Sequence, residues 1–323
     1  MRFSVIIGNP PYQKNDGGGL GTSATPLYNL FVEKAIDLQP DYVVMITPSR
    51  WFAAGRNLDS FRAKMLKDVR LKSIHDFPNA CEIFPNVEIK GGVNYFLWDK
   101  NYRGLCLMKT YRDGVCVSSM FRDFSETDSE VFVRDNESLK ILQKIKSFGE
   151  KSFSELVSAR NPFGLESRFR AAIESFEGSI KVYATKIVVY TTIDKISRNA
   201  DLVYKHKVLV PYAIGSGNGK TDKVNPIYAP CGECCTDTYL MIGGFDNKEI
   251  CDNIISYINT KFFHFCLSVI KNTQNTPRGM YRFVPQQDFR KSWNDRDLYK
   301  KYNLTENEIK YIESSILVKN GVQ

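Results

Sequence analysis

Residues 3–7 form a short apolar run that stops at Gly8 and is followed by Asn9-Pro10-Pro11-Tyr12. The run predicts a buried strand. The two prolines make residues 9–12 a rigid turn, since neither can donate to a ladder or continue a helix. Residues 14–25, with Gly17-Gly18-Gly19, predict a flexible loop. From Pro26 the pattern turns helical. Leu27, Leu30, Phe31, Ala35 and Leu38 fall on one stripe that only Lys34 interrupts, with Thr25 as N-cap and Pro40 as the stop. Residues 42–46 are a continuous apolar strand closed by Thr47-Pro48-Ser49, so the opening order is strand, helix, strand, the mark of a parallel sheet. A helix over 58–68, a strand over 71–77, and a closing pair of strands over 90–98 and 105–111, joined at Arg103-Gly104, complete this part.

Beyond it, Leu139, Ile141, Leu142 and Ile145 predict a connecting helix over 136–148. Residues 150–285 carry short strands (186–192, 207–212, 239–242) between Gly, Pro, Asn and Asp. Residues 295–316 read as two short helices, with Thr305 and Glu308 spaced for a capping box. The expected domains are an α/β unit over 1–135, a linker helix over 136–149, a mixed α+β domain over 150–290 and a helical tail over 291–323.

The chain has 323 residues, 43% hydrophobic and 25% charged, which is ordinary globular composition and enough for a sizeable core. No apolar run approaches the ~20 residues of a membrane span, and the first residues lead straight into a strand, with no signal peptide expected. Eight scattered cysteines fit free thiols in a reducing, cytoplasmic setting. Net charge is +8 and uneven: 20 Lys+Arg minus 18 Asp+Glu gives +2 for residues 1–150, and 24 minus 18 gives +6 for residues 151–323. The densest basic stretch holds Lys271, Arg278, Arg282, Arg290 and Lys291 against Asp288, with Tyr281, Phe283 and Phe289 between them. That is the footprint of a nucleic-acid contact or of a solvated basic face. Lys220, in the glycine-rich segment 215–219 and its flank, is a further candidate phosphate contact.

The turn has a chemical use. An amine on an aromatic ring is a poor nucleophile because its lone pair is delocalised. The Asn9 amide oxygen and the Pro10 carbonyl can both accept from such an NH2 and favour its pyramidal form, while Tyr12 offers a flat face for the ring. Gly8-Asn9-Pro10-Pro11-Tyr12 after an apolar strand resembles the catalytic motif of amino-methylating, S-adenosylmethionine-dependent methyltransferases, adenine-N6 DNA methyltransferases above all. Residues 46–52 (Ile-Thr-Pro-Ser-Arg-Trp-Phe), 76–80 (Asp-Phe-Pro-Asn-Ala) and 89–98 narrow the resemblance to Eco57I-type methylase domains of restriction–modification systems, over most of residues 1–135. The region from 150 is similar to the target-recognition domain of the same enzymes, notably at 210–219, 236–239, 260–263 and 283–289.

The resemblance implies a partial Rossmann-like methyltransferase sheet carrying the catalytic motif, S-adenosylmethionine as cofactor, and double-stranded DNA as partner. It implies catalytic roles for Asn9, Pro10, Pro11 and Tyr12. Tyr95 and Phe96 are candidates to stack on the base opposite Tyr12, or else members of a buried strand. The glycine turn and acidic residue that hold the cofactor lie upstream of this motif in the usual order, and their motif is not found here. Segment 215–219 runs into Lys220 and on to Pro226, not into a helix. A carboxyl-terminal portion of a methylase is therefore expected, whose strands from Phe3 onward lack neighbours and need a missing N-terminal half, a partner chain or an oligomer. The alternatives are a DNA-binding remnant or specificity module without catalysis, and a methyltransferase acting on RNA or protein amides.

Other constellations are weaker. Cys231, Cys234 and Cys235 have no second ligand pair for zinc, so no metal is expected. Asp76 with Glu88-Ile89-Lys90 formally matches a nuclease pattern but overlaps the methylase-like strand. His75 reads as structural.

Overall fold

The computed structural model describes residues 3–14, 25–52, 57–87, 89, 91–124, 132–215, 221–271 and 274–317. The chain divides into two units, 1–139 and 140–323.

In the first unit the apolar run becomes β1 (Val5–Gly8), and the turn after it leads into the short pair β2 (Gln13–Lys14) and β3 (Thr25–Pro26). Helix α1 (Tyr28–Asp37) then crosses to β4 (Tyr42–Pro48), which lies parallel to β1 with Gly8 opposite Met45. Helix α2 (Asp59–Lys67) and β5 (Leu71–Phe77) come next, as expected.

The closing strands differ from expectation. β6 (Val93–Asp99) and β7 (Cys106–Arg112) are not partners. β6 inserts between β4 and β5, antiparallel to both, and β7 runs parallel to β5 with β8 (Val115–Arg122) antiparallel outside it. The physical reason is on β6 itself: Phe96 registers with Met45 on one side and Ile74 on the other, so the central position gives its ring apolar neighbours on both flanks. The sheet order is β1-β4-β6-β5-β7-β8.

One face of this sheet is covered. Ile6, Val43, Met45, Ile74, Phe96, Trp98 and Met108 pack with Tyr28, Val32 and Ala35 of α1 and Phe61, Met65 and Leu66 of α2. Two details of α1 correct the sequence reading. Thr25 sits in β3, and the N-cap is Leu27, without a side-chain cap. The expected stripe holds only at Ala35, which is buried: α1 turns Tyr28 and Val32 inward beside it, whereas Leu30, Phe31 and Leu38 are exposed.

Helix α3 (Asn136–Lys146) spans the division between the units. In the second unit β9 (Ile180–Ala184) pairs with β10 (Ile187–Thr191) and with the later β13 (Glu233–Cys235). A second small sheet has the order β12 (Ile227–Ala229), β11 (His206–Pro211), β14 (Tyr239–Phe245). Helices α4 (Lys248–Ile258), α5 (Lys261–Ser268), α6 (Asp295–Lys301) and α7 (Glu306–Ser315) complete it. Thr305 and Glu308 form the expected capping box of α7. No helix among the described residues is long and apolar enough to cross a membrane.

Candidate active site

The turn 9–12 is fixed at both ends. β1 holds one end through its pairing with β4. At the other, the Tyr12 carbonyl accepts a hydrogen bond from the Leu27 amide at 3.1 Å, which ties the turn to the start of α1. Between these anchors Pro10 is buried, Asn9 is exposed and Tyr12 is half-buried. Burial raises the Tyr12 phenol above its ordinary pKa, so the ring stays neutral in ordinary solution. A rigid turn with a free amide group at the carboxyl end of a parallel strand is where ligands meet open α/β sheets.

β4 and β5 end at the same edge of the sheet, because β1, β4 and β5 run the same way and β6 starts there. A buried polar cluster sits at these ends. The Ser49 hydroxyl donates to Asp76 at 2.9 Å, the Asn94 amide donates to Ser49 Oγ at 3.2 Å and to the Thr47 carbonyl at 3.3 Å, and the Arg134 guanidinium takes Asp76 in two hydrogen bonds. A third Arg134 nitrogen donates to the Gly91 carbonyl at 2.7 Å. Burial pushes the Asp76 carboxyl up, and the Arg134 charge and hydrogen bonds oppose it. Gly92 is required: it has φ +77°, and a Cβ would lie 2.1 Å from the Phe77 carbonyl. Its carbonyl accepts from the Ser49 amide at 2.9 Å. These contacts fix the end of β4 and Ser49 beyond it, next to the strand that leads into Asn9. Arg134 and Asn94 escaped the sequence reading because they come from segments far apart in the chain.

The candidate base-stacking residues on β6 part company. Phe96 is 1% exposed inside the core and has no face to offer a base, which corrects that assignment. Tyr95 points to the other face and stacks on His75, centroids 4.5 Å apart and 9° from parallel. His75 in turn hydrogen-bonds Tyr111 at 3.1 Å, and its pKa is lowered by burial and by Lys109.

The basic stretch divides too. Lys271 is buried and ion-paired to the equally buried Asp222, and its ammonium also donates to the Ile214 carbonyl at 3.2 Å. It is a core group, not a phosphate contact, because burial and a carboxylate partner leave no charge to offer. Arg282 is half-buried and donates to the Gly279 carbonyl at 3.0 Å. Arg278, Arg290 and Lys291 are exposed. Arg290 pairs with Asp288 at 2.7 Å, and Lys291 sits 4.2 Å over the Trp293 ring. Lys220, Glu88 and Lys90 lie outside the described residues, as do the glycine-rich stretches 15–24 and 216–219.

Cys234 and Cys235 are buried in the core of the second unit, where burial raises both thiols, while Cys231 is exposed. Among the described residues no group of His, Cys, Asp and Glu is placed to hold a metal ion. A cofactor turn fares no better. After β11 the backbone passes Gly215, whose φ is +59° and whose Cβ would collide with Asp222, and the described chain resumes in coil before β12. Among the described residues the stretch that follows β11 does not open into a helix, as a cofactor turn for S-adenosylmethionine would.

The mixed sheet, with Asn-Pro-Pro-Tyr following its edge strand, keeps the resemblance to restriction–modification adenine methylase domains, and comparison with known proteins supports that resemblance. Residues 1–84 match the Eco57I restriction-modification methylase family model. An "uncharacterized adenine-specific methylase" of Mycoplasma pneumoniae is 45% identical over 112 residues, 34% of this chain and 26% of that protein. Among solved structures, the type IIG restriction endonuclease BpuSI is similar over 97% of this chain and 53% of its own, at 13% identity and a TM-score of 0.39. A nuclease-deletion mutant of the type ISP enzyme LlaGI, solved with a DNA substrate mimic, is similar over 97% of this chain and 34% of its own, at 9% identity and a TM-score of 0.43. The chain spans about a quarter to a half of the length of these proteins.

Proposed function

We propose that this chain is part of an adenine-N6 DNA methyltransferase of a restriction–modification system, and that Asn9, Pro10 and Tyr12 hold the reacting base. The observation that carries this reading is the rigid, doubly anchored turn with an exposed Asn9 amide, inside the segment that matches the methylase family. An adenine flipped from the duplex would lay its ring on Tyr12, and its N6 hydrogens would be accepted by Asn9 Oδ1 and the Pro10 carbonyl. Two acceptors below the ring plane draw the lone pair out of conjugation, and no charged base is needed. Pro11 keeps the turn rigid. The neutral Tyr12 ring needs only its face, whereas Tyr95 on β6 is already stacked on His75. The methyl donor implied by the family, S-adenosylmethionine, supplies an electrophilic methyl when bound. The exposed cations of the second unit, Arg278, Arg290 and Lys291, would meet the DNA phosphates.

The test uses the full chain mixed with the part of the M. pneumoniae relative outside the matched stretch, and reads N6-methyladenine in DNA by mass spectrometry. Asn9→Ala should lower methyl transfer by about two orders of magnitude, in line with the ~3 kcal/mol that one oriented polar group supplies at a reacting centre. DNA affinity should barely change, because phosphate contacts dominate it. Tyr12→Ala should weaken base capture by roughly the 1–3 kcal/mol of a base–aromatic stack, and Tyr12→Phe should be tolerated. Full activity in Asn9→Ala would overturn the mechanism.

A further inference from the structure

We infer that Arg160 is a specificity-determining residue that reads a guanine in the DNA, with Tyr212 and Asp237 as its positioning residues. The inference deepens the proposed function and rests on it only for the DNA partner.

Three segments distant in sequence converge on this side chain. The Arg160 guanidinium lies 4.8 Å over the Tyr212 ring, and its Nη2 donates to the Asp237 carboxylate at 2.8 Å. Each support is itself held. The Tyr212 amide donates to the Thr238 carbonyl at 2.8 Å, and the Tyr212 carbonyl accepts from the Thr276 amide at 2.7 Å. The Asp237 amide donates to the Leu165 carbonyl at 2.8 Å. Arg160's own backbone is pinned on both sides. Ser158 donates its amide to the Met241 carbonyl at 2.8 Å and accepts the Met241 amide on its hydroxyl at 2.9 Å, which ties it to β14. The Pro162 carbonyl accepts from the Asn199 side chain at 2.7 Å. Yet the Arg160 side chain is 58% exposed, against 12% for Asp237. An exposed ion pair adds little stability, and a long side chain loses rotamer freedom when it is held. The arrangement therefore serves to aim a guanidinium outward more than to hold the fold.

The carboxylate also selects the ligand. A phosphate on Arg160 would sit beside Asp237, which is too buried to swing away, and like charges repel. A base edge with two neutral acceptors meets no such repulsion. In the major groove guanine offers that pair, O6 and N7, at the spacing of the guanidinium fork. Asp237 engages Nη2, and the other N–H groups of Arg160 make no hydrogen bond to the described residues.

Selection of duplexes from a randomised pool by the full chain, followed by fluorescence anisotropy on the selected sequence, tests this. The consensus should contain a guanine whose replacement by any other base weakens binding at least about fivefold. Arg160→Ala should bind all four bases at that position within about twofold. Arg160→Lys should not restore the preference, because an ammonium lacks the planar fork. Both variants should keep the melting temperature of the unmodified chain, as exposed substitutions do. Arg278→Ala should weaken every sequence alike and keep the preference. No consensus, a consensus without guanine, or a preference that survives Arg160→Ala would overturn the inference. So would a loss in Arg160→Ala spread evenly over all sequences, the mark of a phosphate contact. A guanine preference that follows Arg160 in a consensus without adenine would overturn the proposed function and leave this inference standing.

Discussion

His264 shows how a single ring nitrogen can set a pH response. Its Nδ1 lies 2.8 Å from the Thr260 carbonyl and its Nε2 accepts from the Val224 amide at 3.1 Å, so the ring is neutral with the proton on Nδ1. Burial depresses its pKa, with Lys223 adding to the effect. Protonation would set two N–H groups against each other in a buried site. Because the folded pKa lies below the ordinary ~6.5, the unfolded chain binds more protons in the window beneath that value, so stability falls as pH drops through it. The urea midpoint should therefore decline between pH 7.5 and 5.5, and His264→Gln, which can still accept from Val224 but cannot titrate, should shrink that decline. An equal decline in the variant would show that other groups carry it. The same scale decides what was legible. Asn9–Tyr12 could be read from the sequence because its chemistry sits in four consecutive residues. Phe96 and Lys271 could not, since aromatic and basic letters look alike in a core and on a surface.

At the scale of elements, periodicity located α1 but not its orientation. A helix with apolar residues on two sides has two candidate inner faces, and the sheet took Tyr28, Val32 and Ala35. Phe31→Glu should then shift stability by no more than ~0.5 kcal/mol in urea denaturation of the chain alone, as exposed substitutions do. Phe61→Ala, which empties a site 2% exposed beside Tyr28 and Trp51, should cost about 3–5 kcal/mol. A large loss in Phe31→Glu would place that ring in a core contact. β6 was likewise visible as a strand while its partners were not, because alternation fixes which residues face inward and says nothing of which strands flank them. Helix α5 left no stripe to find. Phe262, Phe263, His264, Phe265, Cys266 and Leu267 are all buried, so its apolar residues run all around it.

For the whole molecule, the charge asymmetry is the property that a DNA partner would feel first. The +6 of residues 151–323 is a net count, to which a cation closed against a carboxylate of the same segment adds nothing. Lys271 is one, closed against Asp222, and removing it would strand a buried carboxylate. Lys271→Ala should accordingly cost about 3–5 kcal/mol of stability, with lost folding as its main effect on DNA binding. Arg278, Arg290 and Lys291 are different. They are exposed, Arg290's partner Asp288 is itself exposed, and surface pairs of that kind yield to a phosphate at little cost. Each phosphate contact releases counterions, so log K should fall linearly with log salt, and each contact removed should flatten the slope by about 0.9. The triple variant Arg278→Ala, Arg290→Ala, Lys291→Ala, titrated with duplex DNA by fluorescence anisotropy across a salt series, should show a shallower slope and an unchanged melting temperature. A slope equal to that of the unmodified chain would make this stretch a solvated face and move the DNA contact elsewhere on the second unit.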